Sequence, residues 1–260
     1  MIKLCVLLVL VVGTLGKSLP QSDYFNVDPV RLPHQGRIVG GNTASPGQFP
    51  YMTSCRLTNN MHFCGGMLIN DRWVVSAAHC FLGRGPGDVI VVLGAHSRTT
   101  GGTTYTLSQV IQHPEWNSQT IANDVAALQT ANTVTFTNLI QPIALGSEHV
   151  GGGVTGVVTG WGLTSHQGST AEVLQYLFTE TITNAVCSQR LPGMGHLVWD
   201  HKICAGGIQG RGTCQMDSGG PLAVGNTAVG IVSWGLECAG GTPDVYDRIS
   251  SHRDWIVSNF

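Results

Sequence analysis

Three short segments of the chain carry side chains that could act together on a carbonyl carbon. His79 lies in Val75-Ser76-Ala77-Ala78-His79-Cys80, Asp124 in Asn123-Asp124-Val125-Ala126, and Ser218 in Cys214-Gln215-Met216-Asp217-Ser218-Gly219-Gly220-Pro221. A neutral serine hydroxyl is a poor nucleophile at pH 7, so it needs a base within hydrogen-bond reach and a carboxylate that fixes the tautomer of that base. Serine, histidine and aspartate satisfy that need. The chemistry they would support is attack of the hydroxyl on an acyl carbon.

Such groups must be brought together by elements far apart in the chain. Runs rich in β-branched residues, including Trp73-Val74-Val75, Val89–Leu93, Val154–Thr159 and Ala228–Trp234, alternate with turns rich in Gly, Asn and Ser, which predicts strands throughout. The 35 glycines, nearly double the usual share, favour tight turns over long helices. Ile249, Trp255 and Ile256 could share one face of a final amphipathic helix. Only 11% of residues are charged and the formal net charge is -2, which excludes a disordered chain and a nucleic-acid-coating one. An all-β protein is expected.

Lys3, the apolar run Leu4–Val12 and Thr14-Leu15-Gly16 read as a secretory signal over residues 1–16; that run is too short to span a bilayer. A secreted, extracellular protein with no membrane partner is expected, in a compartment where disulfides are the default. Cys5 leaves with the signal, and seven cysteines remain, an odd number. Residues 17–37 are polar and contain proline but no cysteine. They end at Gln35-Gly36-Arg37, before Ile38-Val39-Gly40-Gly41, where the composition changes.

The three segments, with Arg37-Ile38-Val39-Gly40-Gly41 and Ser233-Trp234-Gly235, resemble the chymotrypsin-trypsin family of serine proteases over residues 38–260. One motif would be weak, but five in the family's order are specific. The resemblance implies two perpendicular six-stranded antiparallel β-barrels, about residues 38–145 and 146–248, with a C-terminal helix at about 249–260. It also implies an activation propeptide at 17–37, removed when a trypsin-like protease cuts after Arg37 so that the Ile38 ammonium pairs with Asp217. His79, Asp124 and Ser218 become the triad, and the N–H groups of Met216 and Ser218 the oxyanion hole. The implied disulfides are Cys64–Cys80, Cys187–Cys204 and Cys214–Cys238, leaving Cys55 as a buried thiol or an intermolecular link. His62, with Ser54, either holds Asp217 in the zymogen or serves packing.

By the same resemblance Gly212, Thr213, Gln215, Ser233, Trp234, Gly235 and Asp244 line the substrate pocket. Gly212 stands where trypsin-like relatives carry aspartate, and Gly235 leaves room for a large side chain, so cleavage after Tyr, Phe, Leu or Met is expected. Asp244 either receives a basic side chain as well, as in the broad-specificity proteases called brachyurins, or is internally bonded and silent. Met216 replaces the family's glycine and either crowds the leaving-group side or flips a peptide of the oxyanion hole. A digestive endopeptidase leads over a cascade protease and over an inactive binding homologue. Protein substrates and protein inhibitors are the expected partners of a monomer. No cofactor or metal is expected: His96, His113, His149, His166, His196, His201 and His252 lack zinc-like spacing and are read as solvated, and Ala95-His96 lacks the acidic residues of the family's calcium loop.

Overall fold

In a computed structural model, residues 38–260 are described, and the proposed signal, the segment 17–37 and Arg37 lie outside them. The described residues form fourteen strands: β1 (Asn42–Thr43), β2 (Met52–Leu57), β3 (His62–Leu68), β4 (Trp73–Ser76), β5 (Val89–Leu93), β6 (Thr103–Gln112), β7 (Ala126–Thr130), β8 (Ala144–Leu145), β9 (Thr155–Gly160), β10 (Gln175–Ile182), β11 (Lys202–Gly206), β12 (Pro221–Val224), β13 (Thr227–Trp234) and β14 (Pro243–Arg248). Two α-helices, α1 (Asn184–Gln189) and α2 (Ile249–Val257), and two 3-10 turns complete it.

Strands β2-β3-β4-β7-β6-β5 close into one antiparallel barrel. Strands β9-β10-β11-β14-β13-β12 close into the second through the pairing of β12 with β9. Closure removes the unpaired edges that a sheet of this length would otherwise expose. Every residue of β4 and of β14 is buried, so these strands have no solvent-facing side to alternate with. One apolar cluster runs through the first barrel and on to Ala223, Ile231, Ile249 and Ile256 of the second half. Another fills the second barrel with Val158, Leu177, Ile203, Leu222 and Tyr246, and Ile38 is fully buried in it. Burial of an isoleucine side chain contributes about 1.5–3 kcal/mol, which anchors the start of the described chain to this barrel.

The sequence predicts helix mainly at the end of the chain. Helix α2 stops at Val257, and Ile249 and Ile256 are buried on its inner face beside His252. Helix α1 carries no apolar periodicity; its start is set by Thr183, whose Oγ1 accepts from the Val186 N–H at 3.3 Å. Disulfides join Cys64 to Cys80, Cys187 to Cys204 and Cys214 to Cys238. Among the described residues Cys55 is the one free thiol; it is buried, and desolvation pushes it up to about 12.

Candidate active site

His79 sits in the 3-10 turn Ala78–Phe81 directly after β4, and Asp124 directly before β7. Strands β4 and β7 are hydrogen-bonded neighbours with Ser76 opposite Ala126, so barrel pairing sets the two residues side by side. Asp124 is fully buried, and three groups satisfy its carboxylate. Oδ1 accepts the backbone N–H of His79 at 2.8 Å, while Oδ2 accepts His79 Nδ1–H and the Ser233 hydroxyl, each at 2.7 Å. A carboxylate so held on Nδ1 leaves the imidazole Nε2 as the free base. Ser233 lies one residue before the end of the second barrel's β13, so this aspartate is clasped from both barrels.

Ser218 lies on the loop before β12, with its carbonyl accepting from Gly65 N–H at 2.8 Å beside the Cys64–Cys80 bridge. That bridge ends at Cys80, next to His79 in the chain, and Ser218 makes no hydrogen bond to His79 in this structure. Gly219 N–H donates to Val232 O at 2.8 Å, tying the same loop to β13. Gly219 has φ +81°, and a Cβ there would collide with the Ser76 hydroxyl, so the nucleophile loop needs glycine at this point. The backbone N–H groups of Met216 and Ser218 donate to no protein group among the described residues. Two unpaired N–H groups beside a serine hydroxyl are what a developing oxyanion requires.

Met216 has φ +74°, a left-handed conformation uncommon outside glycine. His62 does not hold Asp217 here: its Nδ1 accepts from Ser54 Oγ at 2.8 Å and its Nε2 donates to the Met216 carbonyl at 3.2 Å. Asp217 turns the other way, its carboxylate accepting from Gly162 N–H at 2.8 Å and Cys214 N–H at 3.0 Å. It is buried among the described residues without a cation, and burial pushes its carboxyl up to about 7.

Thr213, Gln215, Ser218, Ser233, Trp234, Gly235 and Asp244 line a cavity of about 190 Å³, with the Cys214–Cys238 bridge in its wall. Gly212 lies behind that wall, paired to Val39, where a Cβ would stand 3.0 Å from Asp244 Oδ2. Asp244 is buried, accepts the Thr213 N–H at 2.8 Å, and is pushed up to about 7 by desolvation. A larger cavity of about 430 Å³ along β10, with Phe178, Ile208 and Arg211, carries none of these groups.

Sequence reasoning missed a second cluster of titratable groups. His252 is buried against Asp247, and His113 and His201 are partly covered beside it; the expectation of solvated rings fails for these three. Their signal is faint, because Lys202 reaches Asp247 through strand pairing and His252 reaches it through the passage from β14 into α2. The expectation fails for His96 as well, which is partly covered with its Nδ1 buried, whereas His149, His166 and His196 are exposed. Among the described residues the one grouping of metal-ligand atoms is Cys64, His79 and Cys80, and its two sulfurs are joined as a disulfide.

The Trypsin family model matches residues 38–256. The chain is similar to Trypsin theta of Drosophila melanogaster, at 38% identity over 95% of this chain and 91% of the relative. It is also similar to Trypsin 5G1 of Aedes aegypti, at 36% identity over 93% and 90%, and to Trypsin delta of Drosophila melanogaster, at 33% over the full length of both.

Proposed function

The chain belongs to the trypsin family of serine proteases, and from that membership we propose that it is a secreted endopeptidase, made as a zymogen and broad to chymotrypsin-like in specificity. The observation that carries this reading is the clasp on Asp124 by His79 and Ser233 beside a cavity that holds Ser218. In the first step His79 Nε2 takes the Ser218 proton as Oγ bonds to the peptide carbonyl carbon. The N–H groups of Met216 and Ser218 receive the oxyanion, and Asp124 stabilises the imidazolium. The imidazolium then protonates the departing amine as the C–N bond breaks. Water, deprotonated by His79, releases the acyl group from Ser218.

Cleavage after Arg37 starts this chemistry. The Ile38 ammonium so released pairs with Asp217, an otherwise uncompensated buried carboxylate whose backbone supports shape the loop holding Met216 and Ser218. Segment 17–37 has no cysteine to tether it and departs. Export is supported by the signal-like residues 1–16 and fits the three disulfides.

The relatives are named trypsins, but the pocket of this chain supports a different preference. Gly212 supplies no charge; of the two carboxylates lining the cavity, Glu237 is solvent-exposed and Asp244 is buried and already accepting the Thr213 N–H. Large apolar and aromatic side chains fit best, with Arg and Lys taken secondarily through Asp244. After Ile38 the chain has one lysine, Lys202, and eight arginines, few sites for tryptic attack, which favours a digestive setting.

The test is a peptide-library assay of protein cut after Arg37, alongside Ser218→Ala and an uncut Arg37→Gln. Hydrolysis mainly after Phe, Tyr, Leu and Met, absent from both variants, is expected. Cleavage only after Arg and Lys would overturn the specificity, and full activity of uncut Arg37→Gln would overturn the zymogen.

A further inference from the structure

Just ahead of Asp124 in the chain, the second barrel reaches across to the first with a buried ammonium. Lys202 opens β11 and lies opposite Asp247 of β14 in antiparallel register. Both side chains are fully buried, and Lys202 Nζ donates to Asp247 Oδ2 at 2.6 Å. A second proton of the same ammonium goes to the carbonyl oxygen of Ile121 at 2.5 Å, three residues before Asp124. Next to it, Asn123 N–H donates to His201 Nε2 at 3.4 Å. Desolvation lowers that imidazole to about 4, so the ring stays neutral and keeps the lone pair this bond requires. His252 Nε2 donates to the remaining oxygen of Asp247 at 3.1 Å, and its ring meets those of His113 and His201 edge-on.

The segment so held is not relaxed. Ile121 and Asn123 have φ +53° and +55°, and a β-branched residue at positive φ persists only where its surroundings impose it. The imposing contacts come from Lys202 and His201 of the second barrel, while Asn123 Nδ2 anchors back to Glu115 O. A fully buried lysine is rare and carries a desolvation cost that simple packing would avoid. Lys202 Nζ bridges one carboxylate and one backbone carbonyl, which is a means of fixing a loop rather than filling a core.

We propose that Lys202, neutralised by Asp247, is a positioning residue that holds the Ile121–Asn123 turn and thereby aims the Asp124 carboxylate at His79. The inference rests on the triad reading above. It adds a hold on the backbone ahead of Asp124 to the one that Ser233 makes on the carboxylate, so that Asp124 is tied to the second barrel twice.

The test compares cut wild-type protein with Lys202→Met/Asp247→Leu, which removes both charges at similar volume, and with Lys202→Gln. The glutamine amide is one bond shorter than the lysine chain; it can still meet Asp247 across the strand pair but falls short of Ile121. Cooperative melting establishes folding. For each folded variant kcat on a small ester should fall about 10- to 100-fold, the scale of a displaced catalytic group, with KM within about twofold. The pH profile of kcat/KM should change as His79 loses support from Asp124. The downfield Nδ1 proton of His79, assigned by its loss in Asp124→Asn, should shift or broaden. Should the double variant fail to fold, Lys202→Gln decides alone. A folded variant with wild-type kcat, pH profile and Nδ1 resonance overturns the positioning role. If the cut wild-type protein hydrolyses nothing, the proposed function fails, and the Nδ1 resonance still decides whether Lys202 places Asp124.

Discussion

His62 donates through Nε2 to the carbonyl oxygen of Met216 at 3.2 Å, joining β3 of the first barrel to the loop that precedes Ser218. The ring is itself fixed by Ser54 Oγ, which donates to Nδ1 and accepts Arg56 Nε–H at 2.9 Å. Burial lowers His62 to about 4, so the ring is neutral throughout the working range and this arrangement does not change near pH 7.

The bond pins the residue whose N–H is the proposed oxyanion donor. Replacing His62 by Ala should let that peptide turn, lowering kcat about tenfold while KM for a small ester stays within about twofold. Complete loss of such a donor costs roughly 10² to 10³ in kcat, so partial disorder should fall below that. Steady-state kinetics on the cut protein checks it, and an unchanged kcat would remove His62 from the account.

Met216→Gly relieves a left-handed side chain worth about 1–2 kcal/mol, offset by about 0.5–1 kcal/mol of extra glycine entropy. A small rise in melting temperature is expected, with kcat altered less than about tenfold, because the N–H is already unpaired in this conformation. Protein inhibitors that fill the leaving-group side should bind more tightly. A hundredfold gain in kcat would instead mean that the wild-type peptide is flipped during turnover.

Asp217 gives the uncut and cut chains opposite responses to pH. In the uncut chain its folded pKa, about 7, lies above the ordinary carboxylate value of about 4. The folded state therefore binds a proton that the unfolded state has lost, and stability declines as pH rises through that window. Asp217→Asn should melt progressively higher than the uncut wild type between about pH 4 and 7. After cleavage the Ile38 ammonium compensates the carboxylate, so the same substitution should lower the melting temperature and abolish activity. Identical behaviour before and after the cut would exclude the ion pair.

Asp244 makes primary specificity depend on pH. Desolvation holds its carboxyl near 7, so below that value it is largely neutral and offers nothing to a guanidinium or ammonium. The ratio of kcat/KM for Arg substrates to that for Phe substrates should climb as pH rises from about 6 to 8. Asp244→Ser should flatten the ratio and reduce Arg cleavage roughly ten- to hundredfold, the loss of one charge-assisted contact. Phe cleavage should keep its own profile. A ratio independent of pH in the wild type would mean that the carboxylate, occupied by Thr213 N–H, never meets the substrate.

The sequence by itself determined whatever is written in short contiguous stretches. The strands around Trp73-Val74-Val75 and Ala228–Trp234 are legible from β-branched runs between turns, because side-chain alternation and turn chemistry act within a few residues. The segments holding His79, Asp124 and Ser218 are legible for the same reason, each being one side chain in a local backbone frame. Only the tertiary structure decided what meets those side chains from elsewhere in the chain. Ser233 reaches Asp124 across 109 positions, His62 reaches Met216 across 154, and Lys202 reaches Ile121 across 81. The packing of one barrel against the other sets these pairs, and no local periodicity encodes them. Burial is decided there too. His252 looks like a surface residue near the end of the chain, yet α2 folds it onto Asp247, and Asp244 takes its meaning from the wall that Gly212 and Thr213 build around it. A titratable group's chemistry depends on its solvation and partners, which exist only once the two barrels have closed.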